Sequence, residues 1–437
     1  MLGIAFGLAT VVGSVIGQGI LRSPGVVAEA TGSPLVIIGL WVAGALIALL
    51  TALPFAELAA AIPRAGGQYA YTYRAFGPRV GLAVAFTLMI AGLTTIAMLC
   101  FVTGEFLYRL GVGSGAVSPV ALGIGVATLF GFVNALGTRV TGASQILLSS
   151  LKGAILIALV IALFGGPDAP VGSAEPEVLR NGWLPVGTAI LVIVSTYNGW
   201  WDVIYYGEEL TDPGKQIPRA MFGGILGVGL LYIAINIAML QVLTPDQMAG
   251  SNFVAADAAG LVFGERGDFL LTLFGVLSVG AIANLSVMTN ARFVYALARA
   301  GILPRALDYV DRRGTPIRAM AAAVVVGAAF ILTGSYTAIS STTVTIGQVA
   351  VVMTILAVFA LRRSEPELKR PYRAWLHPWT TGFALLFAVA LLVIFLVQDP
   401  FYSLLGCAIV GILWVIFDLV LKRRGVLEPV ESSEDKR

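Results

Sequence analysis

The sequence predicts an all-α protein that crosses a lipid bilayer about twelve times. Hydrophobic residues make up 58% of its 437 residues and charged residues only 12%, about half the charged share of a soluble domain. So little charge cannot coat a water-facing surface of this size, and mean hydropathy is +0.91. The charges also fall between apolar runs rather than inside them. Runs of roughly 20 apolar residues are long enough to cross a ~30 Å hydrocarbon core. Lipid offers no partner to backbone N–H and C=O groups, so such runs must be helices.

Taken in order, the first run, 3–30, has no charged leader and no cleavage site. It reads as a membrane helix rather than a cleavable signal peptide. Within it lies Gly13-Ser14-Val15-Ile16-Gly17-Gln18-Gly19-Ile20. Each glycine destabilises a helix by about 1 kcal/mol relative to alanine, so a break is expected here. Runs 34–61, 80–110, 119–137 and 141–165 complete a first half. The segment 165–182, rich in Gly, Pro and acids, reads as a linker. Run 184–209 carries a second interruption, Ser195-Thr196-Tyr197-Asn198-Gly199-Trp200-Trp201-Asp202. Runs 219–243, 267–298, 317–335 and 344–361 follow, then 379–397 and 400–421, and 428–437 is a short polar tail.

Charge sets the direction. One set of alternate loops, with the C-terminus, collects most of the Lys and Arg, from Arg64, Arg74 and Arg79 to Lys422, Arg423 and Arg424. The opposite set holds Arg22, Arg109, Arg180 and Arg266. Cytoplasmic loops gather positive charge, so both termini are expected in the cytoplasm and the chain in the cytoplasmic membrane.

Several function classes are excluded. No basic stripe interleaved with aromatics suggests nucleic acid. There is no P-loop, no HExxH, no GxSxG and no Cys/His cluster, so neither ATP-driven work nor hydrolysis has a residue set, and no cofactor or metal is expected. Cys100 and Cys407 lie in apolar runs and read as small core hydrophobes.

The two interruptions open the first and sixth runs, the leading helices of two five-helix halves. Interrupted segments in matching positions point to a transporter's central site, since unwound backbone at that depth is tolerated where it lines a cavity. Broken ends leave N–H groups that suit a carboxylate and carbonyls that suit an ammonium. A zwitterionic amino acid carries both. The alternative is a glycine-rich face for close helix packing.

At these residues the chain resembles the amino acid–polyamine–organocation superfamily, with its leucine-transporter fold, and within it the L-type amino-acid transporters and their bacterial relatives. The resemblance extends through Phe55-Ala56-Glu57-Leu58, Pro63-Arg64-Ala65-Gly66-Gly67-Gln68-Tyr69, Glu208-Glu209, Ile217-Pro218-Arg219-Ala220, Asn284 with Arg292 and Tyr295 to Pro304, and Lys369-Arg370-Pro371-Tyr372-Arg373. It implies two inverted five-helix repeats, 3–165 and 184–361, two peripheral helices within 379–421, and alternating access around a midplane site. It also implies sodium-independent exchange or facilitated diffusion of neutral amino acids, with proton-coupled symport, amine transport or non-transporting sensing as alternatives.

By that resemblance the substrate carboxylate meets N–H groups around Ile16, Gly17, Gln18 and Gly19. The amine meets carbonyls near Val12, Gly13, Ser195 and Thr196, with Tyr197 and Gly199 completing the second break. Gln18 stands where similar transporters carry a small residue, and Ser195 where many carry a gating aromatic. Lys152, about 11 residues into its run, lies near mid-membrane, where an ammonium costs at least about 2.5 kcal/mol. In similar sodium-independent members a lysine here takes the place of a structural sodium ion, bridging the first break to the eighth helix near Ala281, Asn284 and Ser286. Carrying a coupling proton is the other role open to it. Asp202 is open to pairing with a substrate cation, with a protein donor, or to a purely structural role. Eukaryotic L-type chains join a glycoprotein through a cysteine between the third and fourth spans. The segment 111–118 has none, so no disulfide-linked ancillary subunit is expected. The amino-acid substrate and the lipid bilayer are the expected partners.

Overall fold

The computed structural model describes residues 3–17, 19–64, 66–113, 115–136, 138–169, 184–249, 251, 253–264, 266–311 and 314–424. Gln18, most of the 165–182 linker and the tail lie outside them. The described chain is helical, with no strand. In order the helices are α1 (Ile4–Val15), α2 (Gly19–Thr31), α3 (Pro34–Ala61), α4 (Gln68–Phe76), α5 (Pro78–Arg109), α6 (Pro119–Ala135), α7 (Thr138–Phe164) and α8 (Leu184–Thr196). After a 3-10 segment, Trp200–Glu209, come α9 (Pro213–Val242), α10 (Pro245–Ala249), α11 (Val254–Phe263) and α12 (Arg266–Arg299). A short 3-10 turn, Arg305–Asp308, leads to α13 (Ile317–Ile331), α14 (Tyr336–Ser364), α15 (Trp379–Gln398) and α16 (Pro400–Arg424).

Among the described residues, six helices are long and apolar enough to cross a membrane: α3, α5, α9, α12, α14 and α15. Shorter apolar stretches fall in α1, α6, α7, α11, α13 and α16. Several boundaries differ from the sequence reading. The third and seventh runs start earlier, at Pro78 and Pro213, because proline at the first helical position has no N–H to leave unpaired. The tenth starts at Tyr336 rather than 344, capped by the Ser335 hydroxyl accepting from the Ala338 N–H. A Ser/Thr-rich stretch hides that start. Thr342 and Thr343 return their hydroxyls to Ala338 and Ile339 of the same helix, so the backbone tolerates them in an apolar setting. The ninth ends at Ile331 rather than 335; α4 and α10 are helices that hydropathy alone does not mark, and α11 is apolar but too short, at 10 residues, to read as a span.

Two apolar cores form the interior. One gathers α1, α2, α3, α8 and α9 around Trp41, Tyr197 and Tyr232, with the C-terminal half of α14 and part of α15. The other gathers α5, α6, α12, α13 and the N-terminal half of α14 around Phe86, Ile96, Phe101 and Met320. A cavity of about 1720 Å³ lies where the two meet. On α15 and α16, Leu386, Val393, Val397, Leu404 and Ile412 are exposed, a face suited to hydrocarbon. Trp375 and Trp379 are exposed at the end of α15, where amphipathic rings favour the membrane boundary.

At one end of the fold, Glu57 is buried and accepts from Arg362 at 2.9 and 2.6 Å and from the Ala374 N–H at 2.7 Å. Arg370 Nε lies 3.2 Å from the same carboxylate. This ties α3 to the end of α14 and to the loop that leads into α15.

Candidate functional site

α1 stops at Val15 because Ile16 turns to φ −71°, ψ 95°, an extended conformation. Its N–H still reaches Val12 O at 3.0 Å, but the carbonyls beyond lose their helical partners. Each freed oxygen must then find another donor. Lys152 Nζ, from α7, donates to Gly13 O at 3.1 Å and reaches Ile16 O at 3.5 Å. Tyr232, from α9, donates its hydroxyl to Val15 O at 2.8 Å. Ser278, from α12, donates to Ile16 O at 3.4 Å. Three helices therefore hold the open end of α1, and α2 begins again at Gly19.

The second break has the same logic. α8 ends at Thr196, and Tyr197 to Gly199 turn, with Asn198 N–H reaching Ser195 O at 3.2 Å. Gly199 sits at φ +110°, a conformation strained for any residue with a Cβ. The following 3-10 segment is loose, with Tyr206 outside helical dihedrals.

The two breaks pack against each other. A Cβ on Gly199 would lie 2.9 Å from the Ser14 carbonyl, and one on Gly19 would lie 2.7 Å from Thr196 Cγ2. Ser23 and Thr196 hydroxyls meet at 2.7 Å, and Thr196 also donates to Val192 O at 2.8 Å. Only hydrogen at positions 19 and 199 permits this approach.

The cavity is lined by Ser14, Val15, Gly17 and Gly19 of the first break and by Ser195, Thr196, Asn198 and Gly199 of the second. Ser286 of α12 also reaches it. Other residues named from sequence stand behind the wall. Ile16 is fully buried, and Tyr197 packs within 5.3 Å of Tyr232 and donates to Trp41 O. Val12 O and Gly13 O are already engaged, by Ile16 N–H and Lys152.

On α12 the contact to the break comes from Ser278, not from the three residues expected there. Asn284 instead accepts from Asn134 Nδ2 at 2.8 Å, and Ser286 accepts from Asn290 Nδ2 at 3.2 Å. Ala281 is buried and offers no polar atom. Ser278 lies one helical turn before Ala281, so helical spacing alone leaves that choice open. Lys152 is 3% exposed, which excludes snorkelling to an interface. At one end the cavity reaches Arg64, Arg74 and Arg292, residues of the basic face.

A helical membrane protein whose cavity sits between two facing helix breaks has the architecture of a carrier. The chain belongs to the amino acid permease family, whose profile matches residues 6–417. It is 29% identical to the serine/threonine exchanger SteT of Bacillus subtilis (strain 168) over 386 residues, 86% of this chain and 87% of that one. It is 27% identical to the b(0,+)-type amino acid transporter 1 of Rattus norvegicus over 440 residues, 95% of this chain and 86% of that one. It is 29% identical to the Asc-type amino acid transporter 1 of Mus musculus over 428 residues, covering 94% and 79%. The chain is thus an amino acid transporter and not an enzyme.

Proposed function

We propose that the chain exchanges neutral amino acids across the cytoplasmic membrane by alternating access, independently of sodium. The observation that carries this is Lys152 donating into the carbonyls of the first break. By the resemblance noted above, a fixed cation there would take the place of a structural sodium ion, which supports sodium-independence. The N–H groups opening α2 at Gly19 suit a carboxylate, and the carbonyl end of α8 suits an ammonium. Their facing arrangement supports a zwitterion as substrate. In this reading residues 3–165 and 184–361 are the two inverted repeats that rock against each other. The arginine-rich face is cytoplasmic with both termini, and the chain works without a disulfide-linked ancillary subunit.

The test is counterflow in proteoliposomes. Liposomes preloaded with unlabelled serine should take up labelled neutral amino acid faster than empty ones, with no need for sodium or a pH gradient. Uptake that requires sodium refutes the reading. Uptake that requires an inward proton gradient replaces exchange by symport.

A further inference from the structure

We infer that Asp202 and Ser14 form a cation subsite, beside the first break, for the ammonium group of an amino acid or amine moving through the cavity. The inference rests on the transport reading and adds a second station to it. Asp202 belongs to the first turn of the 3-10 segment, its N–H bonded to Gly199 O at 3.1 Å. Because Gly199 packs on the backbone of Ser14, the Ser14 hydroxyl lies beside the Asp202 carboxyl. That hydroxyl is buried, lines the cavity and has no partner besides the Asp202 carboxyl it faces. Asp202 lines the cavity too and has no ion pair among the described residues.

The Gln68 amide is committed elsewhere. Gln68 Nε2 donates to the Tyr205 hydroxyl at 3.4 Å, and Gln68 Oε1 accepts from Thr354 at 3.1 Å. The subsite also adjoins the C-terminal end of α1, where the helix dipole favours positive charge. A partly buried carboxylate with no cation beside it loses part of its hydration, and a cationic ligand offsets that cost. An ammonium group fits better than a metal. It brings three donors to a small set of oxygens, whereas hard metal ions need about six ligands.

The experiment titrates the purified full chain with propylammonium chloride and reads the thermal shift. The wild-type chain should be stabilised. D202N should weaken propylammonium binding by about tenfold or more, as expected for a lost hydrogen bond to a charged group. D202E should restore it to within about threefold, and S14A should weaken it by about threefold. No binding to the wild-type chain, or binding in D202N within about twofold of wild type, overturns the subsite. Should D202N fail to fold, S14A decides, and wild-type binding in S14A overturns it. Counterflow on the same preparations keeps the two readings apart. Exchange without Asp202-dependent amine binding removes only the subsite, and Asp202-dependent binding without exchange removes only the transport reading.

Discussion

Replacing Lys152 by methionine keeps most of the side-chain stem and removes the charge. The lost contacts are the bond to Gly13 O at 3.1 Å and the weaker approach to Ile16 O at 3.5 Å. Charge-assisted bonds contribute about 1.5–3 kcal/mol each, so the gross loss is about 3–6 kcal/mol. Against this stands the desolvation of an ammonium that is 3% exposed, itself several kcal/mol and recovered on substitution. Ile16 O also keeps its bond from Ser278. The two terms largely cancel, and the net change in stability should be within about 2 kcal/mol. Function should respond far more, because Gly13 and Ile16 bracket the peptide groups that face the cavity. K152M should reach the membrane in normal amount and show at least a tenfold lower rate of counterflow, about 1.4 kcal/mol or more in the barrier. The assay pairs detergent thermal melts with serine counterflow in proteoliposomes. Wild-type kinetics in a folded K152M would refute the role given to this lysine. A large loss of thermal stability with unchanged turnover per folded molecule would reduce it to a packing role.

Further outcomes follow from the same geometry. Gly19→Ala should cut exchange sharply and destabilise by about 1–3 kcal/mol, because its Cβ would lie 2.7 Å from Thr196; melts and counterflow check it. Tyr232→Phe loses one bond to Val15 O and should cost about 1 kcal/mol in stability with a raised KM for exchange. Glu57→Gln should destabilise by about 3–5 kcal/mol, since it strands buried Arg370 and partly buried Arg362. Arg74→Ala, which breaks the more exposed pair with Glu365, should cost under about 1 kcal/mol. In the loop before α15, burial and then the Arg362 charge hold His377 below its ordinary value. The unfolded chain therefore binds this proton first. The contribution is complete above about pH 6.5 and is lost on acidification through the lower folded value. His377→Gln should flatten the acid limb of thermal stability.

Much of this was legible in the sequence because the bilayer is a severe solvent. It forces long apolar runs into helices, so Gly13, Gly17 and Gly19 and the polar stretch at Ser195–Asp202 stand out as places where helix continuity is surrendered. Lys152 was legible for the same reason, as a charge too deep to be incidental. What escaped was the identity of the donors that repair the break. Ser278 sits among apolar neighbours with no local pattern to mark it, and only three-dimensional proximity selects it over Asn284 or Ser286. Helix starts at Pro78 and Pro213 were open to cap chemistry but not to hydropathy. The α14 start was masked by hydroxyls that bond their own helix.

The open end of α1 is a joint shared by α7, α9 and α12, each gripping it through one side chain. A joint of that kind pools strain. Loosening one grip changes the load on the other two, so defects introduced at Ser278 should be correctable from α7 or α9 without restoring the serine. Suppressor mutations on three helices distant in sequence would then converge on a single short stub of backbone.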